Sequence, residues 1–290
     1  MILVWGGLDD PPVALVMDAL RERGVAPLHV DRSTFDALPH EVRFDAGGVS
    51  GWMDLDGRRV DVEAIRGIYL RPQSQREPLP ASSCLLALAA AADAVVVNRP
   101  AAGRANLAKP VQLAAIAAAG FEVPQTLVTT DPAAARAFLQ RHGRIVYKSI
   151  SGVRSIVNTL EPGDAARLDG VRTGPVQLQR WIAGTDVRVH VVGRRCFATA
   201  IESAAVDYRY GGGLQASFSA IDLDGALAAR LADLAASMDL LLAGIDLRRT
   251  PDGRWVCFEV NPSPGFSFYE EATGQPIGGA VADLLLSGGR

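Results

Sequence analysis

The sequence has only three cysteines in 290 residues, Cys84, Cys196 and Cys257, far apart and odd in number. They match neither a disulfide framework nor a zinc knuckle, and a reducing compartment is the default expectation. An excess of basic residues is also missing. The net charge of −3 argues against a general nucleic-acid binder, which must neutralise phosphates. The longest apolar stretch, Cys84 to Ala92, is far short of the ~20 residues a membrane span needs. The opening MILVWGGLDD has no basic region of the signal-peptide kind and runs into Asp9 and Asp10, so it reads as a first strand. No repeats and no low-complexity tails appear. These absences lead us to expect a cytoplasmic protein with no membrane and no nucleic-acid partner. What is present, 49% hydrophobic and 21% charged residues, is ordinary for a globular protein with room for about two domains.

The first third alternates strand-like and helix-like segments. Ile2 to Trp5 is a short apolar strand, Val13 to Arg23 has helical spacing with Gly24 as its stop, and Val25 to Val30 is a second strand. That β-α-β order favours a parallel sheet. Gly6-Gly7 lacks the rest of a dinucleotide loop and reads as a tight turn. Val42 to Val62 suggests a small inserted hairpin, Ile68 to Arg71 a strand, Cys84 to Asp93 a helix and Ala94 to Val97 a buried strand. Asn98-Arg99-Pro100 breaks the pattern, placing a domain boundary there: 1–98, then 99–290 in two lobes, 99–178 and 179–290. Further on come helices at Lys109 to Ala119, Pro132 to His142 and, longest, Ala226 to Leu242. Strands are expected at Thr126–Val128, Ile145–Lys148, Val176–Ile182, Val187–Val192 and Cys196–Glu202.

The most informative segment is GIDLRRTPDGRWVCFEVNPSPGF, Gly244 to Phe266. Asp252-Gly253 between two apolar runs signals a two-residue type I′ hairpin, which needs positive φ at both central positions. That turn sets Asp246 opposite Glu259, and opposed residues share a face. Asn261, two residues further, joins them by the period of two. Two carboxylates among apolar neighbours repel unless a cation lies between them, and hard oxygen ligands of this kind suit Mg²⁺. Asn-Pro-Ser-Pro-Gly then forces a rigid loop beside the site.

With these residues in place, the sequence resembles the ATP-grasp superfamily in its RimK-like and glutathione-synthetase-like branch. The resemblance is carried by GIDLRR, FEVNPSPGF and YEEATGQPI, and upstream by VQLQRWIAGTDVRVHVVG, KSISG and NLAKPVQLAAIAAAGFEVPQTLVT. The first domain is similar, more loosely, to that of microviridin-type peptide maturases, through HVDRSTF, DLDGRRVDVEAIRGIYLRP and VVNRP. The resemblance implies an α/β ATP-grasp fold behind a Rossmann-like N-terminal domain. It implies Asp246, Glu259 and Asn261 as ligands of Mg²⁺, with Mn²⁺ as an alternative, and Lys148 and Lys109 on ATP phosphates. Arg180, Trp181 and Ile182 would form the hinge that holds adenine through main-chain groups, with Asp186 near the ribose. Arg188 and Arg209 would face the phosphates or an acyl-phosphate, a task that suits a guanidinium fork. One departure stands out: SISGVRSIVN after Lys148 has only Gly152 where relatives carry a glycine-rich loop, so either Arg154 supplies charge there or the loop closes less tightly.

The reaction so implied joins a carboxylate to an amine at the expense of ATP, through an acyl-phosphate, on an amino-acid or peptide substrate. Two alternatives are a ribosomal-peptide maturase forming side-chain amides or esters, and a nucleotide-binding regulator without catalysis. His29, His40, His142 and His190 are dispersed, and no Ser/His/Asp or Cys/His arrangement competes. Partners are therefore a carboxylate and an amine co-substrate, with a homo-oligomer as a further expectation.

Overall fold

A computed structural model describes residues 1–31, 38–55, 57–71, 83–103, 109–149, 158–203 and 216–288. The first domain is built on a parallel sheet of β1 (Ile2–Gly6), β2 (Leu28–Val30), β6 (Gly67–Arg71) and β7 (Val95–Val97), in the order β2-β1-β6-β7. Every residue of β1 is buried, as a strand covered on both faces requires. On one face lie α1 (Pro11–Glu22) and α7 (Ile277–Leu286), the last helix of the chain. On the other lie α2 (Ser83–Ala91) and an antiparallel meander, β3 (His40–Asp45), β4 (Gly48–Leu55) and β5 (Arg58–Asp61). The inserted hairpin is thus three strands rather than two. Because α7 fills the core under α1, the two ends of the sequence share one hydrophobic cluster.

A second, antiparallel sheet has the order β10-β9-β11-β8, from β8 (Thr126–Thr129), β9 (Ile145–Ser149), β10 (Asn158–Leu160) and β11 (Val176–Arg180). One face packs on α4 (Pro132–His142), whose N-cap Asp131 accepts from Ala133 N at 2.8 Å, and on 3-10 turns at Pro162–Thr173. Strand β11 runs across residues 178 and 179, so the change of sheet falls after Arg180.

The third sheet is antiparallel with the order β14-β13-β12-β15-β16: β12 (Thr185–Val192), β13 (Arg195–Ser203), β14 (Ala216–Ile221), β15 (Leu242–Arg249) and β16 (Trp255–Asn261). Val187, Val189, Val191, Ile245, Leu247, Cys257 and Val260 turn one way, onto α3 (Lys109–Ala118) and α5 (Gly225–Ser237). Helix α5 is the longest, yet it stops earlier than its apolar spacing suggests, because Asp239 takes a left-handed conformation at φ 57°. The opposite face of this sheet carries Asp186, Arg188 and Asp246, while Val192, Phe197, Ile201 and Leu242 pack into the cluster shared with α1 and α7. No helix among the described residues is long and apolar enough to cross a membrane.

Candidate active site

Strands β15 and β16 meet as the sequence requires, Asp246 opposite Glu259 and Gly244 opposite Asn261, but the route differs. Only Gly253 has positive φ, at 83°, and its amide donates to Thr250 O at 2.9 Å. Thr250 N in turn donates to Arg254 O, so the loop between paired strands has three residues, Pro251 to Gly253, instead of the two of a type I′ turn. Leu247 therefore faces Cys257, a register one residue short. A β-bulge between Asp246 and Leu247 restores the pairing by inserting Phe258. The insertion also breaks alternation: Cys257 and Val260 both enter the core, leaving Phe258 and Glu259 outside it. The two departures cancel at the ligands.

Each of these three side chains is already engaged by a donor. Arg188, directly opposite Asp246 on β12 and 7% exposed, donates to Asp246 Oδ1 at 2.5 Å. Lys109 lies 3.4 Å from Glu259 Oε1, and Ser263 N donates to Asn261 Oδ1 at 2.9 Å, fixing which end of the amide faces inward. The guanidinium of Arg188 lies over Gly244, where an added Cβ would stand 2.5 Å from its Nη2 and 2.7 Å from Pro264 Cβ. Lys148 reaches toward the same hairpin from β9, with Nζ 5.9 Å from the centre of the Phe258 ring. The chain contains no lysine other than Lys109 and Lys148, and the fold brings both to this cleft. That rarity was a readable signal in the sequence.

Asp186 is tied down by a residue that sequence reasoning passed over. Arg248 donates from Nε to Asp186 Oδ1 at 2.8 Å and from Nη1 to Ile182 O at 2.7 Å, while stacking 5.4 Å from the Phe258 ring. One guanidinium thereby joins Ile182, Asp186 and the β15–β16 hairpin. At the hinge, Arg180 N and Trp181 N are committed to Gln125 O and Arg144 O, and the Trp181 ring lies 4.5 Å under Arg144. The Arg180 side chain is exposed. Gly184 follows at φ 145°, where a Cβ would come within 2.2 Å of Arg249 O. Arg209 and Arg154 lie outside the described residues.

The hairpin is braced from three sides. Gln112 of α3 is buried and pairs with both backbone groups of Val260, donating to its carbonyl at 2.6 Å and accepting from its amide at 2.9 Å. Asn98, at the domain boundary, donates to Leu242 O and Pro262 O and accepts from Leu241 N and Leu242 N. Arg71, at the end of β6, donates to Asp10 Oδ2 at 2.6 Å, Ser263 Oγ at 3.2 Å and Pro264 O at 2.9 Å. The first domain thus grips the loop that orients Asn261. His190 is buried against Tyr269, with ring centres 4.9 Å apart, and burial and then the charge of Arg188 hold its pKa well below the usual value. It stays neutral. Burial pushes the Cys196 thiol up to about 11 and raises Cys257 further, so neither is a ready nucleophile.

Two carboxylates and one amide oxygen fit a hard cation that completes its shell with water or phosphate, rather than a closed protein cage. The donor set fits Mg²⁺.

Comparisons with known proteins agree with this geometry. Residues 106–285 match the RimK-like ATP-grasp domain. A probable alpha-L-glutamate ligase of Alkalilimnicola ehrlichii is 35% identical over 106 residues, covering 35% of this chain and only 34% of that protein, so the alignment spans about a third of the relative. The ATP-grasp ligase PsnB, solved with a phosphomimetic variant of a minimal precursor, Mg and ADP, superposes with a TM-score of 0.83 at 26% identity, over 100% of this chain and 98% of that one. The macrocyclase MdnC of Microcystis aeruginosa, solved with the precursor peptide MdnA, gives a TM-score of 0.80 at 20% identity over 99% and 100%, a likeness of fold. By the extent of the match and the fold around it, this chain belongs to the RimK-like ATP-grasp family.

Proposed function

We propose that the protein is an ATP-dependent, ADP-forming carboxylate–amine ligase acting through an acyl-phosphate on a peptide or amino-acid substrate. The observation that carries the reading is the hairpin pair Asp246–Glu259 with Asn261, faced by Arg188, Lys109 and Lys148. Asp246, Glu259 and Asn261 would hold Mg²⁺, or Mn²⁺ in its place. The ion supplies charge neutralisation across phosphate oxygens when bound. Lys109 and Lys148 would exchange their present contacts for phosphate oxygens, and the main chain at Trp181 and Ile182 would hold the adenine edge. Asp186, fixed by Arg248, would meet the ribose. Arg188 would turn its buried guanidinium from Asp246 toward the transferring phosphoryl group, with Arg209 in the same role.

The balance is simple. A substrate carboxylate oxygen takes the γ-phosphoryl group and ADP leaves. The amine nitrogen then bonds to the acyl carbon, phosphate leaves, and the amine proton goes with it or to solvent. What supports a peptide carboxylate is the full-length superposition, first domain included, on PsnB, whose solved structures hold a minimal precursor peptide. The glutamate-ligase relative supports an amide as the product, with a side-chain ester in a ribosomal peptide as the alternative. A regulator without catalysis would not need the intact set Asp246, Glu259, Asn261 and Lys148.

The test presents the protein with MgATP and either candidate precursor peptides or free amino acids, reading ADP release and intact mass. Loss of one water mass per ADP formed is expected with the true substrate. Tight MgATP binding without ADP release on any donor and acceptor would overturn the ligase reading.

A further inference from the structure

Gln177 sits in the middle of β11, only 2% exposed, and its side-chain oxygen has no hydrogen-bond partner among the described residues. Its neighbours Val176 and Leu178 pack into the core beneath α4, so the period of two turns Gln177 to the other face of the sheet. That face is the cleft. Gln177 is paired directly with Lys148, whose amine lies 5.9 Å from the Phe258 ring of the metal hairpin. On the same face Gln179 is equally buried, yet it donates to Thr126 Oγ1 at 3.1 Å. Three residues beyond Gln177 the strand ends and the hinge begins.

A buried carboxamide oxygen left without a donor is costly, and most such groups in folded proteins are satisfied. An apolar side chain would fill this position without that cost. The position between the phosphate-facing Lys148 and the hinge is where a purine would lie.

We propose that Gln177 reads the Hoogsteen edge of adenine, its oxygen accepting from N6 and its amide NH₂ donating to N7. Glutamine and adenine pair in this bidentate way in nucleic-acid recognition. The N6 amino group has two hydrogens, so the hinge carbonyl and Gln177 each take one. Guanine presents two acceptors on the same edge and sets a lone pair against the Gln177 oxygen. The inference rests on the ATP-binding reading above and adds base selection to it.

Calorimetric titration of the full chain with Mg²⁺ and ATP, GTP or 7-deaza-ATP tests this, on the wild type and on Gln177→Leu. The wild type is expected to prefer ATP over both other nucleotides by about tenfold or more, one good bidentate pair. Gln177→Leu should lose about tenfold on ATP, bind ATP and 7-deaza-ATP alike, and bind GTP at least as well as the wild type does. Its unliganded melting temperature should not fall, because the buried oxygen removed had no partner among the described residues. Equal wild-type affinity for ATP and 7-deaza-ATP overturns the proposal, as does undiminished discrimination in Gln177→Leu. Should that variant fail to fold, the wild-type base series decides alone. A wild type that binds no nucleotide at all is a separate failure, that of the ligase reading itself, and takes this inference with it.

Discussion

Replacing Asn98 by alanine removes four hydrogen bonds at once, two donated to Leu242 O and Pro262 O at 2.6 Å and two accepted from Leu241 N and Leu242 N at 2.8 and 2.9 Å. Each net bond is worth ~0.5–1.5 kcal/mol, so the four together amount to ~2–6 kcal/mol if the backbone groups stay dry. Asn98 is half-buried, and water reaching one or two of those groups brings the expected loss to about 2–4 kcal/mol. Equilibrium urea unfolding followed by tryptophan fluorescence reads this as a shift in midpoint at unchanged slope. Asn98→Asp is the sharper control. It keeps both acceptor bonds but sets a carboxylate against the carbonyls of Leu242 and Pro262, so at neutral pH it should cost at least as much as alanine. A loss below about 1 kcal/mol for Asn98→Ala, or an aspartate tolerated better than alanine, would refute the bracing role.

Other perturbations follow from the same contacts. His190 is held neutral by burial, so the unfolded chain takes up its proton first as pH falls below about 6.5, and stability should drop there by up to about 1.4 kcal/mol per pH unit. His190→Phe should flatten that limb of a pH–stability curve between about pH 5 and 6.5, and an unchanged slope would exclude His190 as its source. Gly244→Ala should displace Arg188 or Pro264, costing ~1–3 kcal/mol in unfolding experiments and, with a true substrate, lowering kcat far more than nucleotide affinity. Arg71→Ala should weaken Mn²⁺ binding in the presence of ADP without abolishing ADP binding, since it acts through Ser263 on Asn261; wild-type Mn²⁺ affinity would count against that coupling.

How much of this was legible beforehand depended on sequence distance. Alternation and a turn dipeptide placed Asp246, Glu259 and Asn261 on one face, because all three lie within one hairpin. The loop length was misjudged there, and the bulge at Phe258 compensated; neither is visible in residue types, since Asp-Gly serves a three-residue loop as well as a two-residue one. Arg188 was expected at the phosphates; what alternation along one strand does not display is its bond to Asp246, which lies directly opposite on the neighbouring strand 58 residues away. Asn98, Arg71, Gln112 and Arg248 were missed for a common reason. Each acts across at least 61 residues of sequence, onto backbone groups or acids that local pattern does not pair with them.

The claim that the hairpin holds the metal of a nucleotide site is tested most directly by Mn²⁺ binding in the presence of ADP, followed by electron paramagnetic resonance. The wild type and the exposed control Glu271→Gln should remove the free-ion signal with equal affinity, while Asp246→Asn and Glu259→Gln should each bind Mn²⁺ at least about tenfold more weakly. Wild-type affinity in both hairpin variants would contradict the account.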